Sequence, residues 1–495
     1  MKKKTYPLHS FVFVFILMFF MAEGVVAPQN PLPVLDSISP GTKVQRLPTF
    51  TLTAAGSDFI PASVIVFNGV VKPTTYVDAT RLTCPIDPND ILVPAGQPDL
   101  IVPVSVRNPA PGGGDSDTVD FTIRANHSFT AVTTLSETGY YASNPQVEVD
   151  NQGIIHVAWD VVVNFASNVK YRRSTDNGAT WDTVCHISPT NWTQCYLTAI
   201  SIVEQPDDWV YIFFKRNEAA VNRIYYRCSS DNGATWGPIT LVLEPTIALP
   251  HLVFTDPAGN FLALGSVMWL GAYDVFFGFS QDKGITWPTI TNVSQNAGTS
   301  RWSVLDLAAN GDIHVAWLDD TPGQALIHYS RSVDNGANFN PPIPIVNSVR
   351  NWDIEVDAAP PGEVYITWTK ASLQAPFITS FYMSYSNDNG LNFTPGVGRP
   401  AYSIGFRDKE VCVDSAGNID HVASDSDCSM YYAWFNRSLD RGINWSSRQV
   451  LGPGTNCANS IDMILDSAGN IYVVWDDYGT NPEPYSLIYF CRSEH

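Results

Sequence analysis

The chain has 495 residues, enough for several domains, with 28 basic against 48 acidic residues, a net charge of −20, and 45% hydrophobic residues. That balance, with no basic cluster beyond the first four residues, excludes a nucleic-acid partner and an anionic membrane surface. Aromatics at 12% and charged residues at only 15% exclude disorder, and with 33 Gly and 35 Pro they fit an extracellular all-β protein.

In chain order, Lys2-Lys3-Lys4 and the apolar run Phe11 to Ala22 come first and predict a secretory signal over residues 1–27. Cleavage could follow the small residues of Ala22-Glu23-Gly24 or of Val25-Val26-Ala27. An uncleaved anchor is the alternative, although the run is shorter than the roughly 20 residues a spanning helix needs. The protein is therefore expected to be secreted or held at the cell surface, to be a monomer, and to have no membrane span once the signal is removed. Eight cysteines in an exported chain allow disulfides without making a disulfide scaffold. The local candidates are Cys185–Cys195 and Cys412–Cys428. No C-x-x-C or H-x-x-x-H spacing occurs, so neither a metal nor a cofactor is expected.

Between Pro33 and Arg124 short β-rich runs, Thr49–Ala54, Val64–Phe67, Leu100–Val106 and Val119–Ile123, alternate with Gly, Pro, Asn and Asp clusters. This spacing predicts an antiparallel sandwich over 33–124. Ile38-Ser39-Pro40-Gly41, Gly56-Ser57-Asp58-Phe59, Val64 to Gly69, and Val104 to Pro109 followed by Gly112-Gly113-Gly114 resemble the TIG (IPT) family of immunoglobulin-like domains. The resemblance implies a spacer or contact module, and no acid, base or nucleophile cluster lies there.

From residue 125 to 495 one octapeptide dominates, Ser-x-Asp-x-Gly-x-(Thr/Asn)-(Trp/Phe), with its aspartates at Asp176, Asp231, Asp282, Asp334, Asp388 and Asp440. The intervals of 55, 51, 52, 54 and 52 residues predict a β-propeller built from four-stranded units. The chemistry of the octapeptide is structural: Ser and Asp side chains hold backbone amides, Gly takes the left-handed turn position, and the aromatic packs between sheets. These octapeptides resemble the Asp boxes, or BNR repeats, of the sialidase-like propeller superfamily. A further unit, Asp466-Ser467-Ala468-Gly469-Asn470 and Ile471–Trp475 running to Leu487–Cys491, predicts seven blades, with six as the alternative. The segment Phe129–Leu135 is expected to supply the outer strand that this last unit lacks.

Propeller geometry places the start of each innermost strand, and the loop after its second strand, on one face around the channel. Residues repeated in every unit, such as His156, His314 and His421, or Trp159, Trp317, Trp368 and Trp475, are read as shared packing. Residues that break the repeat on that face are the candidates for ligand binding: Arg301-Trp302, Arg350 with Trp352, and Arg407-Asp408 at unit starts, and Asp160, Asp319-Asp320 and Asp476 after second strands. His251 opens the third unit. Converging guanidiniums suit a carboxylate or sulfate, and the tryptophans suit a sugar face. The competing expectation is that each Arg pairs with an Asp of a neighbouring unit.

The sialidase resemblance implies glycoside hydrolysis by an arginine triad, a Tyr–Glu couple and an acidic Asp. This chain departs from that pattern. It has no Phe-Arg-Ile-Pro motif, and Asn459-Ser460-Ile461-Asp462-Met463 has Asn where the tyrosine would stand. Should it be a hydrolase of acidic sugars, Arg301, Arg350 and Arg407 would form the triad, Asp160 would act as acid, and Glu355 or Glu410 would partner a Tyr. The favoured expectation is a non-catalytic recognition protein whose propeller binds a glycan or an extracellular protein.

Overall fold

The structure, a computed structural model, describes residues 29–494 apart from 46–48, 94–98, 125–126, 164–165, 204–208, 219–220, 244–251, 270–271, 297, 321–325, 347–350, 360–361, 372–378, 399–404, 415–416, 427–430, 453–456, 467 and 479–484. The expected signal over 1–27 lies outside the described residues. Among the described residues no helix is long and apolar enough to cross a membrane.

The chain divides into two compact units. The first holds Thr51–Ile86, Val102–Phe121 and the described residues up to Gly41, and the second holds the chain from Thr122 on together with Thr42–Phe50 and Asp87–Ile101. In the N-terminal region Val34–Ser39, Phe50–Ser57, Arg81–Ile86 and Thr75–Asp78 form one four-stranded sheet in that order. A second sheet is built around Val119–Arg124, Leu100–Asn108 and Val64–Phe67. Alternation decides which residues face inward: Leu52, Ala54, Leu82, Cys84, Ile86, Val102, Val104, Val106, Phe121 and Ile123 are buried while their neighbours are not.

The larger unit repeats one antiparallel motif. The strands Tyr141–Val149, Ile155–Val163, Ala166–Ser174 and Cys185–His186 pair in sequence order, and the next four sheets follow the same order. The sixth unit, Gly405–Val413 through Gln449–Val450, also does so, and a single parallel bridge between Tyr431 and Cys457 joins it to the strands that follow. Those are Cys457–Leu465, Ile471–Tyr478 and Ser486–Glu494. Along the outer edge of Ser486–Glu494 lie the N-terminal segments Ser128–Phe129 and Thr133–Thr134, each paired antiparallel with it.

Each apolar cluster of this unit is shared by two consecutive sheets, because alternate residues on the central strands point to opposite neighbours. Tyr171, Val169 and Ala158 of the first sheet pack with Leu197, Ile212 and Phe214 of the second, and corresponding clusters follow around the chain. A final cluster joins Ile155, Val157 and Trp159 of the first sheet to Tyr472, Val474, Ile488 and Phe490 of the last, with Leu135 between them. The sheets therefore close on themselves in a β-propeller.

The octapeptides sit at the turns after the third strands. In the first, Ser174 Oγ accepts the Gly178 amide at 2.8 Å and Asp176 Oδ1 accepts the Thr180 amide at 2.8 Å. Asn177 and Gly178 take φ of 59° and 83°, the left-handed conformation such residues tolerate. Trp181 then packs edge-on against Phe490 of the last sheet at 5.0 Å. The repeated histidines and tryptophans are core groups: His156 and His314 are fully buried, each with Nδ1 on a tyrosine hydroxyl, Tyr171 at 2.7 Å and Tyr329 at 2.6 Å. His421 meets Asn436 instead, at 3.1 Å.

The proposed Cys185–Cys195 bridge is not formed. Both are free thiols, Cys185 on the outermost strand of one sheet and Cys195 on the innermost strand of the next. Cys412 is also free, and Cys428 lies outside the described residues.

Candidate functional site

The innermost strands converge on one central cavity of about 650 Å³. Near its start, each of six of these strands slips register against its partner: Ser143/Gln146, Leu197/Ala199, Arg301/Val304, Trp352/Glu355, Phe406/Asp408 and Ala458/Ile461. A bulge leaves backbone amides unpaired and turns side chains towards the mouth. Carboxylates take up those amides. Asp160 Oδ1 accepts Leu197 N at 2.6 Å, Asp408 Oδ2 accepts Ile461 N at 2.9 Å, and Asp476 Oδ1 accepts Ser460 N at 2.7 Å. Asp160 and Asp476 are buried, and burial, opposed by those amide bonds, pushes their carboxyls up to about 7 and about 6. The structure thus places Asp160, Asp408 and Asp476 as braces of the bulges.

At the bulge the backbone enters the left-handed region in three strands, at Asn144 (φ 52°), Trp302 (φ 51°) and Asp353 (φ 55°). Asn and Asp suit that conformation, whereas a bulky aromatic is strained in it by about 1–3 kcal/mol. Burial does not offset the strain, since Trp302 is 57% exposed.

Trp302 forms one wall of an open pocket of about 720 Å³, with Tyr273, Arg301, Trp352 and Asp353 among its other lining residues. The guanidinium of Arg301 lies 4.3 Å from the Trp302 ring centroid and pairs with Asp320 at 2.5 Å. Asp320 therefore holds Arg301, and Arg301 in turn backs Trp302 through a cation–π contact. Asp319 is buried and accepts the Asn296 side-chain amide at 2.9 Å, out of line with the pocket. Arg350 and His251 lie outside the described residues, as does the side chain of Arg407, so of the three arginines only Arg301 is placed.

Asp353 links this pocket to the channel. Lys409, 1% exposed at its side chain, binds Glu355 at 2.6 Å and lies 3.8 Å from Asp353. Burial pushes the Glu355 carboxyl up to about 7, with Lys409 opposing and Asp353 adding to the shift. Glu410 is pushed well above its ordinary range, by burial and then by Glu355 and Asp462. The sequence reading singled out Glu355 and Glu410 but missed Glu148, Asp306, Asp357, Asp462 and Lys409 beside them, and it also missed Tyr273 in the pocket. The available signal was an acidic residue at alternate positions of one innermost strand after another, at Asp306, Glu355, Asp357, Glu410 and Asp462. Among the described residues no cluster of His, Cys, Asp and Glu is arranged to hold a metal ion.

Residues 198–397 match the BNR repeat-like domain family. No curated relative matches the chain. Among solved structures the chain is similar to a protein of unknown function from Dyadobacter fermentans, at 13% identity and a TM-score of 0.45, covering 74% of this chain and 98% of that one. It is also similar to the NanB sialidase from Streptococcus pneumoniae, at 11% identity and a TM-score of 0.43 over 89% of this chain and 83% of that one. An alpha-L-arabinanase from Penicillium chrysogenum follows, at 14% identity and a TM-score of 0.41 over 73% and 98%.

Proposed function

Taking the chain as a member of the sialidase-like BNR-repeat β-propeller superfamily, we propose that it is an exported recognition protein that binds a glycan in the Trp302–Trp352 pocket and does not turn it over. The observation that carries this reading is Trp302, a solvent-exposed indole kept in a strained backbone conformation where the equivalent positions hold Asn144 and Asp353. Strain that neither burial nor turn chemistry offsets is retained where a side chain must face a ligand. A flat indole presents a large, rigid apolar face to the C–H face of a sugar ring, and Tyr273, Trp352 and Asp353 surround it with further apolar area and one carboxylate. With Arg301 engaged by Asp320, a neutral sugar fits this pocket better than the acidic sugar that three free arginines would select. The N-terminal sheets act as a spacer.

The test is tryptophan-fluorescence titration of a panel of neutral and acidic oligosaccharides against wild type, Trp302→Ala and Trp352→Ala. Binding weakened at least about tenfold by both changes supports the reading, and binding unaffected by either rejects it. A hydrolase is the second reading, favoured by one observation: Asp353 lines the pocket with Lys409 and Glu355 directly behind it. Release of an aryl group from aryl glycosides, abolished by Asp353→Asn, would establish it in place of the first.

A further inference from the structure

The charges facing the central cavity are lopsided. The first innermost strand contributes Glu148, the fourth Asp306, the fifth Glu355 and Asp357, the sixth Glu410 and the thiol of Cys412, and the seventh Asp462, with Asp353, Asp408 and Lys409 beside them. The second and third strands present Thr198, Ser201, Phe254 and Thr255 instead. Six carboxylates thus line the cavity, with the Lys409 ammonium held against Glu355.

Some of these carboxylates also hold neighbouring strands together. Asp306 Oδ2 accepts Ala358 N at 2.7 Å, Asp357 Oδ2 accepts Val413 N at 3.0 Å, and Asp462 Oδ2 accepts Val147 N at 2.7 Å. Between the uncharged strands neutral side chains do the same work, Gln146 for Ile200 N and Ser201 for Thr255 N. Glu148 and Glu410 make no ion pair or hydrogen bond among the described residues, so each adds charge to the cavity without a compensating bond.

The strand Ser300–Leu307 has Trp302 at its mouth and Asp306 in the channel, and Asn351–Ala359 has Trp352 at its mouth and Glu355 and Asp357 in the channel. The Asp306–Ala358 bond ties these two strands together beneath the two tryptophans. We propose that the channel carboxylates form a proton-dependent brace under the Trp302–Trp352 pocket, which keeps the pocket closed-packed while they share protons and loosens it when they all ionise. Repulsion among like charges gathered in one cavity is the force, and it acts on the strands that position both indoles. Burial and neighbouring acids raise the carboxyls in the direction this requires, Glu148 to about 8 and Asp306 and Asp462 to about 6. The consequence for ligand affinity rests on the pocket reading above, but the brace itself does not.

The experiment therefore uses the ligand-free full chain. Acrylamide quenching of Trp302, taken as the difference between wild type and Trp302→Phe, is followed with the melting temperature from about pH 5 to about pH 10. The expected result is quenching that rises and a melting temperature that falls between about pH 5 and 8, with a smaller response that lies at lower pH in Glu410→Gln, because removing one charge lets the neighbouring carboxyls ionise earlier. Glu148→Gln, at a site with no bond to lose, serves as the second variant should Glu410→Gln fail to fold. A flat profile in wild type, or the same profile in wild type and variants, overturns the brace. A pH response without any glycan binding keeps the brace and rejects only the pocket reading.

Discussion

Asp462 on the last innermost strand accepts the amide of Val147 on the first at 2.7 Å, across 315 residues of chain. This bond lies where the two ends of the propeller meet, beside the apolar cluster that Leu135, Ile155 and Phe490 share. Replacing Asp462 by Ala leaves a buried amide without its acceptor and should cost about 1–3 kcal/mol in urea unfolding. Asp462→Asn keeps an acceptor oxygen and should recover most of that loss. Equal effects of the two changes would mean that the bond does not contribute.

Leu135 is fully buried between the first and last sheets, while the segment just before it pairs with the last strand through Thr133 and Thr134. Leu135→Ala should destabilise the propeller by about 2–5 kcal/mol as one cooperative unit. Calorimetry checks this: a second, separate transition for the last sheet would contradict cooperative closure.

Trp302→Asn exchanges a strained indole for a residue that adopts the left-handed conformation readily, as Asn144 does in the first sheet. The change should raise stability by up to about 1 kcal/mol and remove glycan binding. A loss of stability in chemical denaturation would show that the indole serves packing.

Gly390 has φ of 78°, and a Cβ there would stand 1.9 Å from the Tyr329 hydroxyl. That hydroxyl is held by buried His314 at 2.6 Å, so it has little room to withdraw. Gly390→Ala should cost more than about 1 kcal/mol, whereas Gly153→Ala, at a similar φ with open space around it, should cost less. The comparison of melting temperatures separates the contact from the backbone conformation.

The box carboxylates carry the acid limb of the pH profile. Hydrogen bonds from the Thr286 hydroxyl, the Thr286 amide and Ser280 hold Asp282 at about 2, against an ordinary value of 3.8, and those from Asn392 and Ser386 do the same for Asp388. A folded-state value below the unfolded one means that the unfolded chain binds the proton first. The stabilisation is present above about pH 4 and is lost as pH falls towards 2. Asp282→Asn should lower the melting temperature near neutrality and flatten its fall between about pH 4 and 2, so that variant and wild type converge at the acid end.

The octapeptides were legible in the sequence because their bonds are local. Ser174, Asp176, Gly178 and Thr180 satisfy one another within seven residues, so composition and order dictate the turn without reference to the rest of the chain. The alternation of apolar residues in strands such as Ile155–Val163 was legible for the same reason, since the pleat has a period of two. The mouth residues were legible in part. Trp302 and Trp352 break the repeat and were noticed, but the sequence could not show that Arg301 is spent on Asp320, or that Asp160 and Asp408 hold amides of the next sheet. Those outcomes depend on the register between strands some 37 to 53 residues apart, and on bulges whose positions follow from how neighbouring sheets twist together. Only closure of the ring decided that Glu148, Asp306, Glu355, Asp357, Glu410 and Asp462 face one cavity. Each reads as an ordinary polar residue on its own strand, and it takes the innermost strands converging on one cavity to bring their charges together.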